Sequence, residues 1–456
     1  MITLREPGAV LLVSCYELGH QPHGLAFPMA FLERRGFAPG AVDLAVEPLD
    51  EEKARCAHLV AISVPMHTAL RIGVHAAERI RVLNPGAAIC FFGHYAVLNR
   101  DWLLDRCADA VLGGESEEQL VALALGLERG ERPFSPPAHL GRLDFPTPSR
   151  SGLPALARYA AFERGGERRV AGAVEASRGC LHECLHCPIT PVYGGRFFVV
   201  PPAVVLEDVR RQVAAGAGHI TFTDPDFLNG PRHATKIVEA MHAEFPDLSF
   251  DFTAKIEHLL AHRDLLPGFA AAGCAFVVSA VESLSDLVLR NLDKGHTRDD
   301  VQAALEITRA AGIVLRPSLL PFTPWSTVAD FVDLVEWVAR EGLVDSVDPV
   351  QWTIRLLVPP GSALLTKPAI RPFLGAPDPG NFAWSWTHPD PSVERLHREV
   401  SRIVHEANHT GERAGVTFER VRAAAHAAAG LRPVEASATH AERRPVAPRL
   451  TEPWFC

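Results

Sequence analysis

Short apolar runs alternate with helical patterns across residues 9–125. The runs AVLLVS (9–14), VDLAVE (42–47), HLVAISV (58–64), AAICFFG (87–93) and ADAVLGG (108–114) predict strands. Between them, GLAFPMAFLERRG (24–36) and HTALRIGVHAAERIRVLNPG (67–86) repeat apolar residues at helical spacing. Such βαβ alternation predicts a doubly wound parallel sheet, in which ligands sit beyond the carboxyl ends of the strands. The loops at those ends, 15–24, 65–68, 93–96 and 113–117, are rich in Gly and His. A cofactor cleft and an ordinary tight strand-to-helix turn both call for glycine.

A second alternating region runs from about 170 to 365. Its expected strands are VAGAVEAS (170–177), HITFTD (219–224), LSFDFTA (248–254), AFVVSAV (275–281), IVLRPSLL (313–320) and VQWTIRL (350–356), with helical patterns such as AVVLEDVRRQVAAGAG (203–218) and RDDVQAALEITRAAG (298–312) between them. Six βα units in series predict a barrel or partial barrel with its chemistry at the strands' C-terminal ends. The intervening stretch is rich in Pro, Arg and Gly and reads as a linker. The organisation expected is therefore α/β: a Rossmann-like domain over 1–130, a linker over 131–168, a partial (β/α)6 barrel over 169–365 and a helical extension over 366–456 with a mobile tail.

A length of 456 residues fits more than one domain. The balance of 45 Lys and Arg against 54 Asp and Glu gives a formal charge of −9 and no basic block; this argues against a nucleic-acid partner held through phosphates. The apolar start lacks the basic leader of a signal peptide, and no apolar run reaches the roughly 18 residues of a membrane span, so a cytoplasmic protein without a membrane partner is expected. Nine cysteines are an odd number for a disulfide framework. Three of them fall within eight residues.

These are Cys180, Cys184 and Cys187 in EASRGCLHECLHCP (175–188), directly after the first strand of the second series. Thiolates are the preferred ligands of Fe–S clusters, and three of them leave one iron of a [4Fe–4S] cube open to a small molecule such as S-adenosylmethionine. A Cys3His zinc site using His182 or His186, or three buried thiols on one face of a short helix, are the competing readings. Lys255 after the third strand and Arg316 on the fifth point near the barrel mouth, where either suits the methionine carboxylate; Arg355 on the sixth is a weaker candidate.

The motif, its place after the first barrel strand and the six-unit series resemble the radical S-adenosylmethionine (SAM) superfamily, with His186 where that family usually has another aromatic residue. GLAFPMAFLERRGF, NPGAAICFFGHYA and ADAVLGGESEEQL resemble the cobalamin-binding-type domain that precedes many of its members, although the D-x-H-x-x-G element that supplies a lower cobalt ligand is missing and CYELGHQPHG follows the first strand instead. The resemblance implies a [4Fe–4S] cluster, S-adenosylmethionine and, as a candidate, cobalamin. It also implies a small-molecule substrate and a reducing partner such as flavodoxin or ferredoxin. Carried across residue by residue, it points to Thr223, Asp224 and Asp226 in ITFTDPDF near the methionine amine. Glu282 and Ser283 in SAVESLSDLVLRNLDKGHT are candidates for the methionine or ribose groups.

The final TEPWFC is similar to the subfamily named for a Cys-Sec-Ala-Glu-Pro or Cys-Cys-Ala-Glu-Pro tail, which implies a reactive, thiophilic Cys456 with a selenocysteine codon following it. The activity expected is radical group transfer, of a methyl or a 3-amino-3-carboxypropyl group, to a small molecule that includes thiophilic elements. A non-catalytic cobalamin- or metal-responsive binding protein with a structural cluster is the alternative.

Overall fold

The computed structural model describes residues 3–432 and 447–452. Strands β1 (Val10–Ser14), β2 (Gly40–Asp43), β3 (Leu59–Ser63), β4 (Ala88–Phe92) and β5 (Ala110–Leu112) form an all-parallel sheet in the order β2-β1-β3-β4-β5. Almost every residue in these strands is buried, as expected for a sheet covered on both faces. Period-2 alternation divides the side chains. Val10, Leu12 and Leu59 pack with helices His23–Arg34 and Glu117–Glu128, and Leu11, Val13 and Val60 pack with helix His67–Leu83. The order reverses at β1, with β2 on one side and β3 on the other, so a crevice opens where their chain ends diverge.

An antiparallel pair, β6 (Ala161–Arg164) and β7 (Glu167–Val174), leads into the second sheet. After a small ribbon of β8 (Ser177–Gly179) and β9 (Phe197–Val199) come β10 (His219–Phe222), β11 (Ser249–Thr253), β12 (Cys274–Glu282) and β13 (Val314–Leu319). These four continue parallel to β7. Phe222, Phe227 and Phe252 lie toward the helical layer, with ring centroids 4.4 Å apart for Phe222–Phe227 and 5.5 Å for Phe227–Phe252. The other face of the sheet sets polar residues among apolar ones such as Phe276: Asp251 accepts from His219 at 2.8 Å and from Thr221 at 2.7 Å. Helices Arg298–Ala311 and Val328–Arg340 each begin on a threonine capping box, at Thr297 and Thr327, worth about 1 kcal/mol apiece.

The partial barrel thus has five parallel strands, β7 and β10–β13, and the sixth expected strand is absent from the sheet. Residues 349–353 coil into a 3-10 turn, and one isolated bridge, Phe322 to Arg355, marks the place a sixth strand would start. The chain then forms a hairpin, β14 (Leu374–Asp378) and β15 (Ala383–Trp386), and two packed helices, Pro391–Thr410 and Ala414–Ala428. The tail returns as β16 (Arg449–Leu450) along the free edge of β6, covering an edge that would otherwise expose its hydrogen-bonding groups. Among the described residues no helix is long and apolar enough to cross a membrane.

Candidate active site

The segment after β7 makes an immediate turn. Its base is tied by the β8–β9 ribbon and by the Cys180 N–H donating to the Arg196 carbonyl at 3.0 Å. Gly179 permits this with φ +72; a Cβ there would lie 2.4 Å from the Arg196 oxygen. From Cys180 to Cys187 the chain is a loop of turns with no helix. Asn229 accepts from the Leu181 N–H at 3.2 Å, the Leu185 N–H donates to the Leu292 carbonyl at 3.0 Å, and Thr190 donates to the Cys184 carbonyl at 2.9 Å. The three thiols are unpaired, with Cys180 and Cys184 buried and Cys187 half-buried.

Burial raises the Cys180 thiol, and burial, then the neighbouring thiols of Cys184 and Cys180, pushes Cys187 up to about 11. The three thiols lie on one short loop, and once deprotonated they are soft ligands that a metal cation neutralises. That donor set fits an iron–sulfur cluster.

Beside the loop, at the end of β12, Glu282 adopts the left-handed region with φ +61, a rare choice for a non-glycine residue. Its Oε1 accepts from Lys294 at 3.1 Å and from His186 at 3.2 Å, while among the described residues Oε2 accepts no hydrogen bond. Burial alone would raise the Glu282 carboxyl; the charges of Lys294 and His186 overcome it and hold it down at about 2. On the other flank, His182 and His258 face each other Nε2 to Nε2 at 3.1 Å, and Asp226 accepts from His258 Nδ1 at 2.8 Å. These three side chains bring ligand atoms within 4.8 Å of one another.

The residues chosen from sequence separate into two groups. Thr223 and Arg316 line the cavity described below, and Glu282 lies beside the cysteine loop. The others hold the backbone or one another. Asp224 accepts from the Ala176 N–H at 2.9 Å and from the Ser177 hydroxyl, and burial raises it to about 7. Asp226 accepts from the N–H groups of Leu228 (2.9 Å) and Lys255 (3.1 Å). Lys255 pairs with Glu257 at 3.2 Å, and Ser283 accepts from the Ser285 N–H at 3.0 Å. Arg316 itself is paired with Asp348 at 2.9 Å and also donates to the Pro448 carbonyl, so it anchors the tail. Arg355 pairs with Glu394 on the C-terminal extension. Cys456 lies outside the described residues.

Sequence reasoning missed Lys294, Asn229, His258 and Arg178. Lys294 stands in the same DKGH stretch that supplied Glu282, and a lysine twelve residues from a strand-end glutamate was the only signal.

Between the two sheets lies a cavity of about 380 Å³, lined on one side by the four strand-end loops expected to carry ligand, through residues such as His23, Pro65, Gly93 and Gly114. Thr221, Asp251, Phe276 and Arg316 line it from the second sheet. Gly179 and Tyr193 are also in its wall, so the cavity adjoins the base of the cysteine loop. Glycine at 114 is required there: φ is +68 and a Cβ would stand 2.1 Å from the His139 carbonyl oxygen. Both ring nitrogens of His23 are buried without a partner. An unsatisfied imidazole in the wall of a cradle at the strand ends offers the nitrogen donor and the position that suit a cofactor such as cobalamin.

Arg178 clamps the two sheets. It reaches Glu117 at 2.6 Å, Glu175 at 2.6 Å and Glu115 at 3.5 Å, and lies over the rings of Phe27 and Phe145. Glu115 and Glu117 come from the loop after β5, whereas Glu175 precedes the cysteine loop.

Comparison with known proteins agrees with this geometry. Residues 174–338 match the radical SAM superfamily. The chain is 24% identical over 326 residues to the hopanoid C-3 methylase of Methylococcus capsulatus, covering 67% of this chain and 62% of that protein. It is 26% identical over 211 residues to the tRNA-2-methylthio-N(6)-dimethylallyladenosine synthase of Novosphingobium aromaticivorans, covering 42% of this chain and 46% of that protein. The chain therefore spans less than two thirds of the length of these curated relatives.

Among solved structures, the cobalamin-dependent S-adenosylmethionine radical enzyme OxsB with aqua-cobalamin bound aligns with a TM-score of 0.65 at 14% identity, over 90% of this chain and 72% of that one. The radical S-adenosylmethionine methyltransferase TsrM from Kitasatospora setae, with cobalamin and [4Fe-4S] cluster bound, aligns with a TM-score of 0.64 at 17% identity, over 92% and 99%. Residues 174–338 match the radical SAM superfamily, a match that implies a [4Fe–4S] cluster and S-adenosylmethionine, and over 90–92% of its length the chain shares the fold of OxsB and TsrM.

Proposed function

We propose that this chain is a radical SAM transferase that moves a methyl group to a small-molecule substrate bound between its two sheets, using Cys180, Cys184 and Cys187 to hold a [4Fe–4S] cluster and the strand-end loops of the first sheet to hold cobalamin. One observation carries the reading: the loop with three unpaired thiols and the cavity between the sheets share a wall at Gly179 and Tyr193. The names of the methylase, methylthio and methyltransferase relatives favour a methyl group over the 3-amino-3-carboxypropyl alternative.

When bound and reduced by a flavodoxin or ferredoxin, the cluster supplies the electron that breaks a carbon–sulfur bond of S-adenosylmethionine. The protein's own residues do the positioning. Glu282 stays ionised because Lys294 and His186 stand against it, and its free Oε2 accepts from the ammonium or ribose of the ligand. Thr223, the aromatic Phe276 and Arg316 shape the cavity floor, while Asp224, Asp226 and Asn229 fix the backbone from which the thiols and Lys255 project. Apolar walls at Phe92, Met66 and Val278 exclude water from a reactive carbon centre.

The test is anaerobic reconstitution with iron, sulfide, aquacobalamin, S-adenosylmethionine and dithionite, followed by mass spectrometry of the nucleoside products. S-adenosylhomocysteine or 5′-deoxyadenosine, absent from C180S, is the expected result. Methylthioadenosine would replace methyl transfer by 3-amino-3-carboxypropyl transfer, the outcome that suits a thiophilic acceptor. None of the three from a cluster-loaded protein would leave a binding protein.

A further inference from the structure

The cavity between the sheets contains a histidine that the fold itself does not use. His23 is the first residue of helix His23–Arg34, immediately after the loop that follows β1. Its side chain lines the cavity, the residue is 8% exposed, and neither Nδ1 nor Nε2 has a hydrogen-bond partner. Buried imidazoles without partners are unfavourable and uncommon, and here the position is held firmly. Glu17 folds back to accept the Gly24 N–H at 3.1 Å. Gln21 donates to the Pro154 carbonyl at 2.8 Å and accepts from Arg150 at 3.0 Å.

Burial, with the charges of Arg150, His20 and Arg178, keeps His23 well below the ordinary imidazole range, so the ring is neutral with a lone pair available. Glu452 is in the same cavity wall, with its Oε2 buried without a partner while Tyr16 donates to the other oxygen of that carboxyl. Two orphaned polar groups in one cavity wall mark a place for a ligand.

We propose that His23 supplies an axial nitrogen to the cobalt of a cobalamin bound in this cavity, which rests on the reading that the chain holds cobalamin. The sequence lacks D-x-H-x-x-G, and His23 meets the same chemical need from the end of the same strand-to-helix loop. Neutral imidazole is a preferred nitrogen donor for first-row transition metals.

The experiment uses the full chain loaded anaerobically with aquacobalamin, desalted and reduced to cob(II)alamin, with electron paramagnetic resonance as the readout. One axial nitrogen-14 splits each cobalt line into three, and protein labelled with nitrogen-15 histidine should give two instead. H20A and H94A should retain that doublet and H23A should lose it while still carrying cobalamin. If H23A does not fold, a doublet that survives in both other variants assigns the third cavity histidine. A triplet unchanged by the label, unsplit lines in the wild type, a doublet lost in H20A or H94A, or one retained in H23A would each overturn the proposal while leaving cobalamin binding intact. Failure of the wild type to retain aquacobalamin on desalting would instead remove the cofactor reading, and the proposal with it.

Discussion

Arg178→Met removes the one cation among the described residues that pairs with Glu115, Glu117 and Glu175, while keeping most of the apolar stem. The Arg178 side chain is 10% exposed, and the three carboxylates are 0%, 5% and 18% exposed, so water cannot replace the lost charge. Removing one partner of a buried ion pair costs about 3–5 kcal/mol, and the rings of Phe27 and Phe145 lose a stacked guanidinium besides. The cost is limited by protonation. Burial already raises Glu175, and it raises Glu115 to about 7 against the pull of Arg178; without the arginine both rise further.

A carboxyl whose folded pKa lies above its unfolded value loses stability as pH rises from the unfolded value through the folded one. The deficit of R178M relative to wild type should therefore be small near pH 5 and full near pH 8. Urea unfolding of the cluster-free protein, followed by tryptophan fluorescence at pH 5, 7 and 8, measures it. A deficit under about 1 kcal/mol at pH 8, or an equal deficit at pH 5 and 8, would refute the clamp.

Glu282→Gln strands the buried Lys294 without its counter-charge and should cost about 3–5 kcal/mol. In the wild type the contribution of Glu282 is present above its unfolded value and fades as pH falls toward about 2, so E282Q should flatten the acid limb of a circular-dichroism titration. Gly114→Ala sets a Cβ 2.1 Å from a backbone oxygen, whereas Gly130, with φ +76, has nothing within 4 Å. Thermal unfolding should show G130A losing only the left-handed cost of about 1–2 kcal/mol and G114A losing clearly more. Burial, opposed by the Gly24 N–H, raises Glu17 to about 8; stability should fall from about pH 4.5 to pH 8 as its proton is lost, and E17Q, measured without cobalamin, should melt higher than wild type at pH 8.

Both sheets were legible because their strands are buried on both faces or alternate strictly, and such runs carry their own signal. The site loops were legible because glycine and histidine punctuate the strand ends. The sixth barrel strand was not. VQWTIRL alternates like a strand, but Trp352 packs against Phe331 and Phe418, with ring centroids 6.3 and 5.7 Å away, and this interface with the C-terminal helices draws the segment off the sheet. Gln351 then supplies in one side chain what the missing strand would have supplied in backbone, accepting from the Leu319 N–H at 2.9 Å. Near the end of the chain, Arg449–Leu450 adds a strand to β6 and Arg449 pairs with Glu163, partners 286 residues apart that no local pattern links.

The aspartates of ITFTDPDF show how the fold uses a stretch whose carboxylates the sequence offered to a ligand. The sequence suggested carboxylates for a ligand ammonium; the structure gives most of their oxygens to backbone. Asp224 ties the Ala176 and Ser177 positions at the base of the cysteine loop, Asp226 ties Leu228 and Lys255, and Asn229 ties Leu181 beside Cys180. Asp224 and Asn229, within about seven residues after β10, thus brace a loop that has no helix of its own. A cluster site with only three protein ligands needs such outside support, because ligands spaced along an irregular loop lose too much entropy to converge alone. In the proposed function the 224–229 segment positions the thiols, and the charge offered to the ligand is that of Glu282, held ionised by Lys294.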